Sequence, residues 1–247
     1  MRRARTRGKG KFVSDFDQWP DAEEEREEKK RRKGGIFLLV MAFLLILGAI
    51  GIVLWQWPSI STMVSPPPNA KVDMRGNLVV PDEDAVMEDP TAVDDIGLGF
   101  KVVTEPEKKT ILNVPLGKAQ QINGRIAPPG FKSVYLITNL GVSLDNAAKG
   151  TVYTAAHSLR NGGWAPGNAL IDIERQVATV KPGDLIYISN RVYSVTETRI
   201  IPKPQVGGVK DIWDTTVPER LIVFTCLQNP QNSPSRDNMI VFATLVE

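Results

Sequence analysis

From Thr110 to Val246 the chain repeats one motif of composition: a short apolar run, then a turn former, then another run. Runs of this length, rich in Val, Ile, Tyr and Thr, fit strands and leave little room for helices. The strand candidates are Thr110–Val114, Ala119–Ile126, Ser133–Thr138, Val152–Ala156, Leu185–Ile188, Val192–Thr198, Leu221–Cys226 and Met239–Val246. Ser189-Asn190 is the right length for a tight hairpin, and Lys181-Pro-Gly-Asp184 turns the chain into Leu185. Ala169 to Gln176 is the best place for a short helix. The expected fold is all-β: a closed or nearly closed β-barrel with one or two short helices.

The N-terminal part has a different character. Ile36 to Trp57 is apolar apart from Gln56 and the glycines Gly48 and Gly51, long enough for a membrane-spanning helix. It is too long for a signal-peptide core, and Trp-Gln-Trp-Pro58 follows it rather than a small-residue cleavage site. Residues 1–35 form a charged tail ending in the basic run Lys29–Lys33, which predicts a cytoplasmic N-terminus. A basic arm can also bind nucleic acid, but an adjacent membrane span accounts for it better, and the net charge is only +2. Residues 58–96, with Pro66-Pro-Pro68, Pro81, Pro90 and several acids, read as a stiff extended spacer, with a short strand at Leu78–Val80. The folded domain is then 97–247, on the extracellular side of a single-pass cell membrane.

That placement makes the one cysteine notable. A lone exported thiol cannot close an intrachain disulfide; it is buried and inert, paired with another chain, or functional. Cys226 ends the apolar run Leu221–Cys226, at the exit of a predicted buried strand. His157, the only histidine, ends the run Thr151–Ala156. Arg236 opens the run that leads to Leu245. Three chemistry-bearing residues thus fall at strand ends, where one sheet can gather them. A thiolate attacks, an imidazole moves the proton, and a guanidinium holds a developing oxyanion. Taken singly, a buried thiol, a packed histidine and a surface arginine remain the plain readings.

The residues around them narrow the choice. Val223-Phe-Thr225-Cys226, then Arg236, then Met239-Ile-Val-Phe-Ala-Thr244, resembles the sortase family, whose hallmark is Thr-Leu-x-Thr-Cys followed by an arginine opening the last strand. Ala155-Ala-His157-Ser is similar to that family's strand end of small residues before histidine. Lys181–Asp184 with Tyr193-Ser-Val195 resembles its Gly-Asp turn and Tyr-x-Val strand. Departures are Ile222 and Val223 in place of Thr and Leu, and Ala156 where many members have Gly.

The resemblance implies a sortase-like barrel and transpeptidation. Cys226 would cleave a Leu-Pro-x-Thr-Gly-like sorting signal through a thioacyl-enzyme, with His157 as acid and base and Arg236 as oxyanion stabiliser. Thr225 and Ala156 would line the peptide groove. The acceptor would be a cell-wall precursor amine, or a pilin lysine in a pilus-assembly enzyme. No metal or organic cofactor is implied; calcium at carboxylates such as Asp145 or Glu174 is a weaker expectation than two solvated charges. Asp89-Pro90-Thr91 lacks the aromatic residue of the lid motif in pilus sortases, and no second span follows the last strand. Both favour the wall-anchoring form. The competing classes are another exported thiol peptidase and a non-catalytic, membrane-tethered β-barrel binding module.

Overall fold

The computed structural model describes residues 26, 39–52, 55, 70–81 and 89–247. The chain divides into two units, residues 1–64 and 65–247, and everything that bears on the site lies in the second. In the first, residues 39–52 are helical with their large apolar side chains exposed. The remainder of Ile36–Trp57, apart from Trp55, falls outside the described residues, as does the charged tail apart from Arg26. Among the described residues no helix is long and apolar enough to cross a membrane.

Unit two is built on eight barrel strands: β3 (Val93–Thr104), β4 (Lys109–Ala119), β7 (Val134–Gly141), β8 (Thr151–Ala155), β11 (Leu185–Ile188), β12 (Arg191–Pro202), β13 (Arg220–Leu227) and β14 (Asp237–Leu245). They close into a barrel in the order β11-β12-β14-β13-β8-β7-β4-β3, with β3 pairing back onto β11. Two pairs, β13–β8 and β4–β7, run parallel; the others are antiparallel. Closure leaves no unpaired edge to attract another chain.

The barrel is apolar inside and over part of its outside. Its interior takes residues from all eight strands, among them Phe100, Leu112, Val134, Val152, Ile186, Tyr193, Leu221 and Val241. A second cluster, with Tyr153, Ala155, Ile222, Phe224, Ile240 and Phe242, covers the outside of β8, β13 and β14. A four-residue helix, α1 (Lys203–Val206), and the segment after it cap that cluster with Val206, Ile212 and Trp213. Trp213 stacks on Phe224 at 5.5 Å between ring centres.

Turn chemistry explains several connections. Ser189-Asn190 is the two-residue loop between β11 and β12, with Ser189 at φ 57°. In Lys181–Asp184, Pro182 and Gly183 (φ 98°) occupy the central positions and Asp184 N donates to Lys181 O at 3.0 Å, a type II arrangement in which glycine supplies the positive φ. Asp184 is 3 % exposed; its carboxylate accepts from Lys181 N and Glu105 N, so this Gly-Asp turn is a strut between two barrel corners.

Four expectations need correction. Ala119–Ile126 is not one strand: Asn123-Gly124, both at positive φ, folds it into a small hairpin of β5 (Gln121–Ile122) and β6 (Arg125–Ile126). Ala169–Gln176 is not a helix. A 3-10 turn at Pro166–Leu170 leads into a hairpin of β9 (Ile171–Asp172) and β10 (Val177–Ala178), because Asp172 accepts from Arg175 N and closes a turn where a helix would continue. The folded unit also begins before residue 97, since β3 starts at Val93 and the Asp94 carboxylate accepts from Tyr135 Oη at 2.5 Å. Finally, the spacer is partly folded. Residues 71–79 form a hairpin of β1 (Lys71–Val72) and β2 (Leu78–Val79), closed by the buried Asp73 carboxylate, which accepts from Arg75 N, Asn77 N and Trp164 N. Burial raises the Asp73 pKa, and these bonds more than reverse that, leaving it below the usual carboxylate value.

Candidate active site

Strand alternation decides which side chains can meet. On β13, Leu221 and Val223 point into the barrel while Ile222 and Phe224 join the outer cluster. Cys226 follows Phe224 by two residues and therefore shares the outer face, where it is half-buried. On β8, Tyr153 and Ala155 are outward and Ala156 inward, so His157 comes out on that same face. On β14, Ile240 and Phe242 are outward, and the same parity carries back through Asn238 to Arg236.

Register then brings the three to one place. The parallel pairing of β13 with β8 ends at Phe224↔Ala155; a continuation of that register by two residues would bring Cys226 alongside His157, one strand spacing of about 4.8 Å away. Cys226 pairs with Asn238 across the antiparallel β13–β14 ladder, which makes Arg236 its diagonal neighbour, about 7–8 Å away by backbone geometry. Ser235 Oγ donates to Leu227 O at 2.7 Å and pins the backbone just before Arg236. Arg236 itself is exposed. Among the described residues no hydrogen bond links the three side chains to one another.

The imidazole is held independently. His157 Nε2 lies 2.7 Å from Pro128 O, and a carbonyl can only accept, so Nε2 carries the proton and Nδ1 keeps the lone pair. The Phe131 ring meets it edge-on, with centroids 5.1 Å apart. Burial pushes the His157 pKa down to about 4; the Pro128 carbonyl opposes this, and the Lys71 and Lys203 cations add to it. His157 is therefore neutral at pH 7, an available base with its lone pair on Nδ1.

Behind the ring the backbone is fastened on both sides. Ser158 Oγ donates to Cys226 O, and Gln228 Nε2 donates to Ser158 O at 2.8 Å, tying the segment after β8 to the end of β13. The β1–β2 hairpin rests on the loops flanking His157. Lys71 Nζ donates to Pro129 O, Met74 N donates to Trp164 O, and Val79 packs against Phe131, Leu159 and Ala165. None of these supports was read from sequence.

Two expected groove residues are elsewhere. Thr225 and Ala156 are 3 % and 4 % exposed and point away from the outer face. Thr225 Oγ1 lies against the 3-10 turn at Gly167 and has no partner among the described residues; Ala156 belongs to the interior cluster. Asp145 is exposed and pairs with Arg191 at 3.5 Å. Among the described residues no group of three or more His, Cys, Asp and Glu side chains could hold a metal ion.

No family model matches the sequence, and no curated protein matches it. Solved structures do resemble it. Sortase A from Listeria monocytogenes is 19 % identical, with a TM-score of 0.43 over 62 % of this chain and 89 % of that one. A lid mutant of sortase A from Corynebacterium diphtheriae is 12 % identical, with a TM-score of 0.40 over 60 % and 70 %. The sortase D5 transpeptidase of Clostridium perfringens is 13 % identical, with a TM-score of 0.39 over 66 % and 83 %. All three are sortases.

Proposed function

We propose that this chain is a sortase-type cysteine transpeptidase, tethered through Ile36–Trp57 with its barrel on the outer side of a cell membrane. What supports the reading is strand parity and register: extended past the last pairs of β8, β13 and β14, they point the only thiol, the only histidine and Arg236 to the outer face at one end of the barrel.

The chemistry follows from the protonation states. His157 Nδ1 takes the Cys226 proton, and the sulfur attacks the Thr–Gly carbonyl carbon of a Leu-Pro-x-Thr-Gly-like signal, forming a C–S bond. The oxyanion that develops meets the Arg236 guanidinium, a fork of several N–H donors. As the tetrahedral carbon collapses, the C–N bond breaks and the imidazolium gives its proton to the departing glycine amine. An incoming amine then attacks the thioester, gives a proton back through His157, and frees the thiol. The favoured acceptor is a cell-wall precursor amine; a pilin lysine is the alternative. No step draws on a metal or organic cofactor.

The test incubates the full chain in detergent with a small library of sorting peptides, with and without an amine, and reads products by mass spectrometry. The expected result is a thioacyl adduct on Cys226 and an amine-dependent ligated product. Hydrolysis unaffected by added amine would make the protein a peptidase; no adduct with any peptide would remove the enzymatic reading.

A further inference from the structure

The 3-10 turn at Pro166–Leu170 sits against the backbone of His157 more tightly than packing alone requires. Gly167 N donates to His157 O at 2.7 Å. A Cβ at residue 167 would fall 2.6 Å from His157 O and 1.9 Å from Thr225 Oγ1, so no side chain fits there without displacing one of them. The next residue, Asn168, is 5 % exposed and spends its whole side chain on the loop that starts at His157. Its Oδ1 accepts from Leu159 N at 2.8 Å and from Ala165 N at 2.9 Å, and its Nδ2 donates to Leu159 O at 2.8 Å. One amide thus closes residues 159–165 into a ring, and the adjacent glycine fixes the carbonyl at the ring's entrance.

From this geometry we infer that Gly167 and Asn168 are positioning residues for His157. They set its backbone so that Nε2 reaches the Pro128 carbonyl and Nδ1 remains free for the thiol. The inference rests on the reading of His157 as the acid–base group. Neither residue touches substrate. Their effect passes through the orientation of one ring, and a displacement of about 1 Å at a reacting group can lower turnover ~100-fold.

Because His157 is the only histidine, its imidazole signals in an NMR titration need no assignment, and the readout is independent of activity. In the full chain, Gly167→Ala and the uncharged Asn168→Ser, whose hydroxyl is too short to span all three contacts of the amide, should move the ring's titration midpoint up from about 4. Both should lower kcat for thioacyl formation by about tenfold or more with KM changed less than about twofold, as loss of an alignment made for the reacting state requires. Folded variants with native titration and native kcat would overturn the inference. So would unfolding of both, because the pair would then be holding the fold rather than one ring. A shifted titration in a protein whose native form shows no transpeptidation would keep the positioning role and remove the enzyme.

Discussion

The two halves of the site are held by different means. Cys226 sits in the β13–β14 ladder, whose pairings run unbroken from Arg220↔Thr244 to Leu227↔Asp237, and Arg236 is the residue next to its last pair. Their placement is mostly a backbone property: alternation and register fix Cys226, and Lys203 N donating to Arg236 O, with Ser235 Oγ donating to Leu227 O, carries that order one residue on. His157 lies beyond the last ladder pair of β8 and depends on particular groups, namely Pro128 O, Ser158, Gly167, Asn168 and Gln228. Ladder-held residues should therefore tolerate change around them, and the loop-held residue should not.

The largest effect expected is at the ladder-held thiol itself. Cys226→Ala should remove transpeptidation by about a thousandfold or more while the melting temperature stays close to native, since a half-buried sulfur contributes little packing. Residual turnover in that variant, measured by the peptide–amine assay, would take Cys226 out of its role. Arg236→Lys should lower kcat/KM by about 10–100-fold, because an ammonium cannot reproduce the guanidinium fork.

The loop-held half should respond to acid. His157 titrates at about 4 in the folded protein, below its ordinary value of 6.5, so the unfolded chain binds the proton first. The His157 contribution is then full above pH 6.5, falls as pH drops toward 4, and changes no further below that, where carboxylates held low such as Asp73 add their own loss. The loss is on the order of 3 kcal/mol at ~1.4 kcal/mol per pKa unit. Urea melts at several pH values should show this slope in the native chain and lose it in His157→Gln; an unchanged slope would place the titration elsewhere. Ser158→Ala should destabilise by about 1–2 kcal/mol, since it leaves the Cys226 carbonyl without its donor. Tyr193→Phe in β12 should change stability by less than about 1 kcal/mol, because the buried Tyr193 hydroxyl has no partner among the described residues. If the tyrosine change is the larger of the two, the contrast between the halves fails.

What could be read from sequence follows the same division. Leu185–Ile188, Leu221–Cys226 and the turn at Ser189-Asn190 were legible because apolar runs and two-residue loops are local signals. β3 was hidden: Asp94, Asp95, Gly97 and Gly99 give its first half the look of a spacer, although Ile96 and Leu98 pack against the core and Phe100, Val102 and Val103 are buried. The inward aim of Thr225 was illegible for a different reason. Both surfaces of β13 are apolar, one lining the barrel and one under Trp213, so the run carries no polar face from which to read its parity. The supports of His157 are long-range side-chain bonds, such as Gln228 to Ser158, and have no signature in local sequence.

The docked hairpin at Lys71–Val79 also governs where this protein can be cut. A fragment starting at Gly97 would lose the first residues of β3 and the Asp94 partner of Tyr135. One starting at Asp89 would keep β3 yet bare Phe131, Leu159 and Trp164 around the imidazole and remove the Lys71 cation. Either excision would yield an imidazole with a different basicity from that of the longer chain, so a pH profile belongs to its starting residue as much as to its catalytic groups.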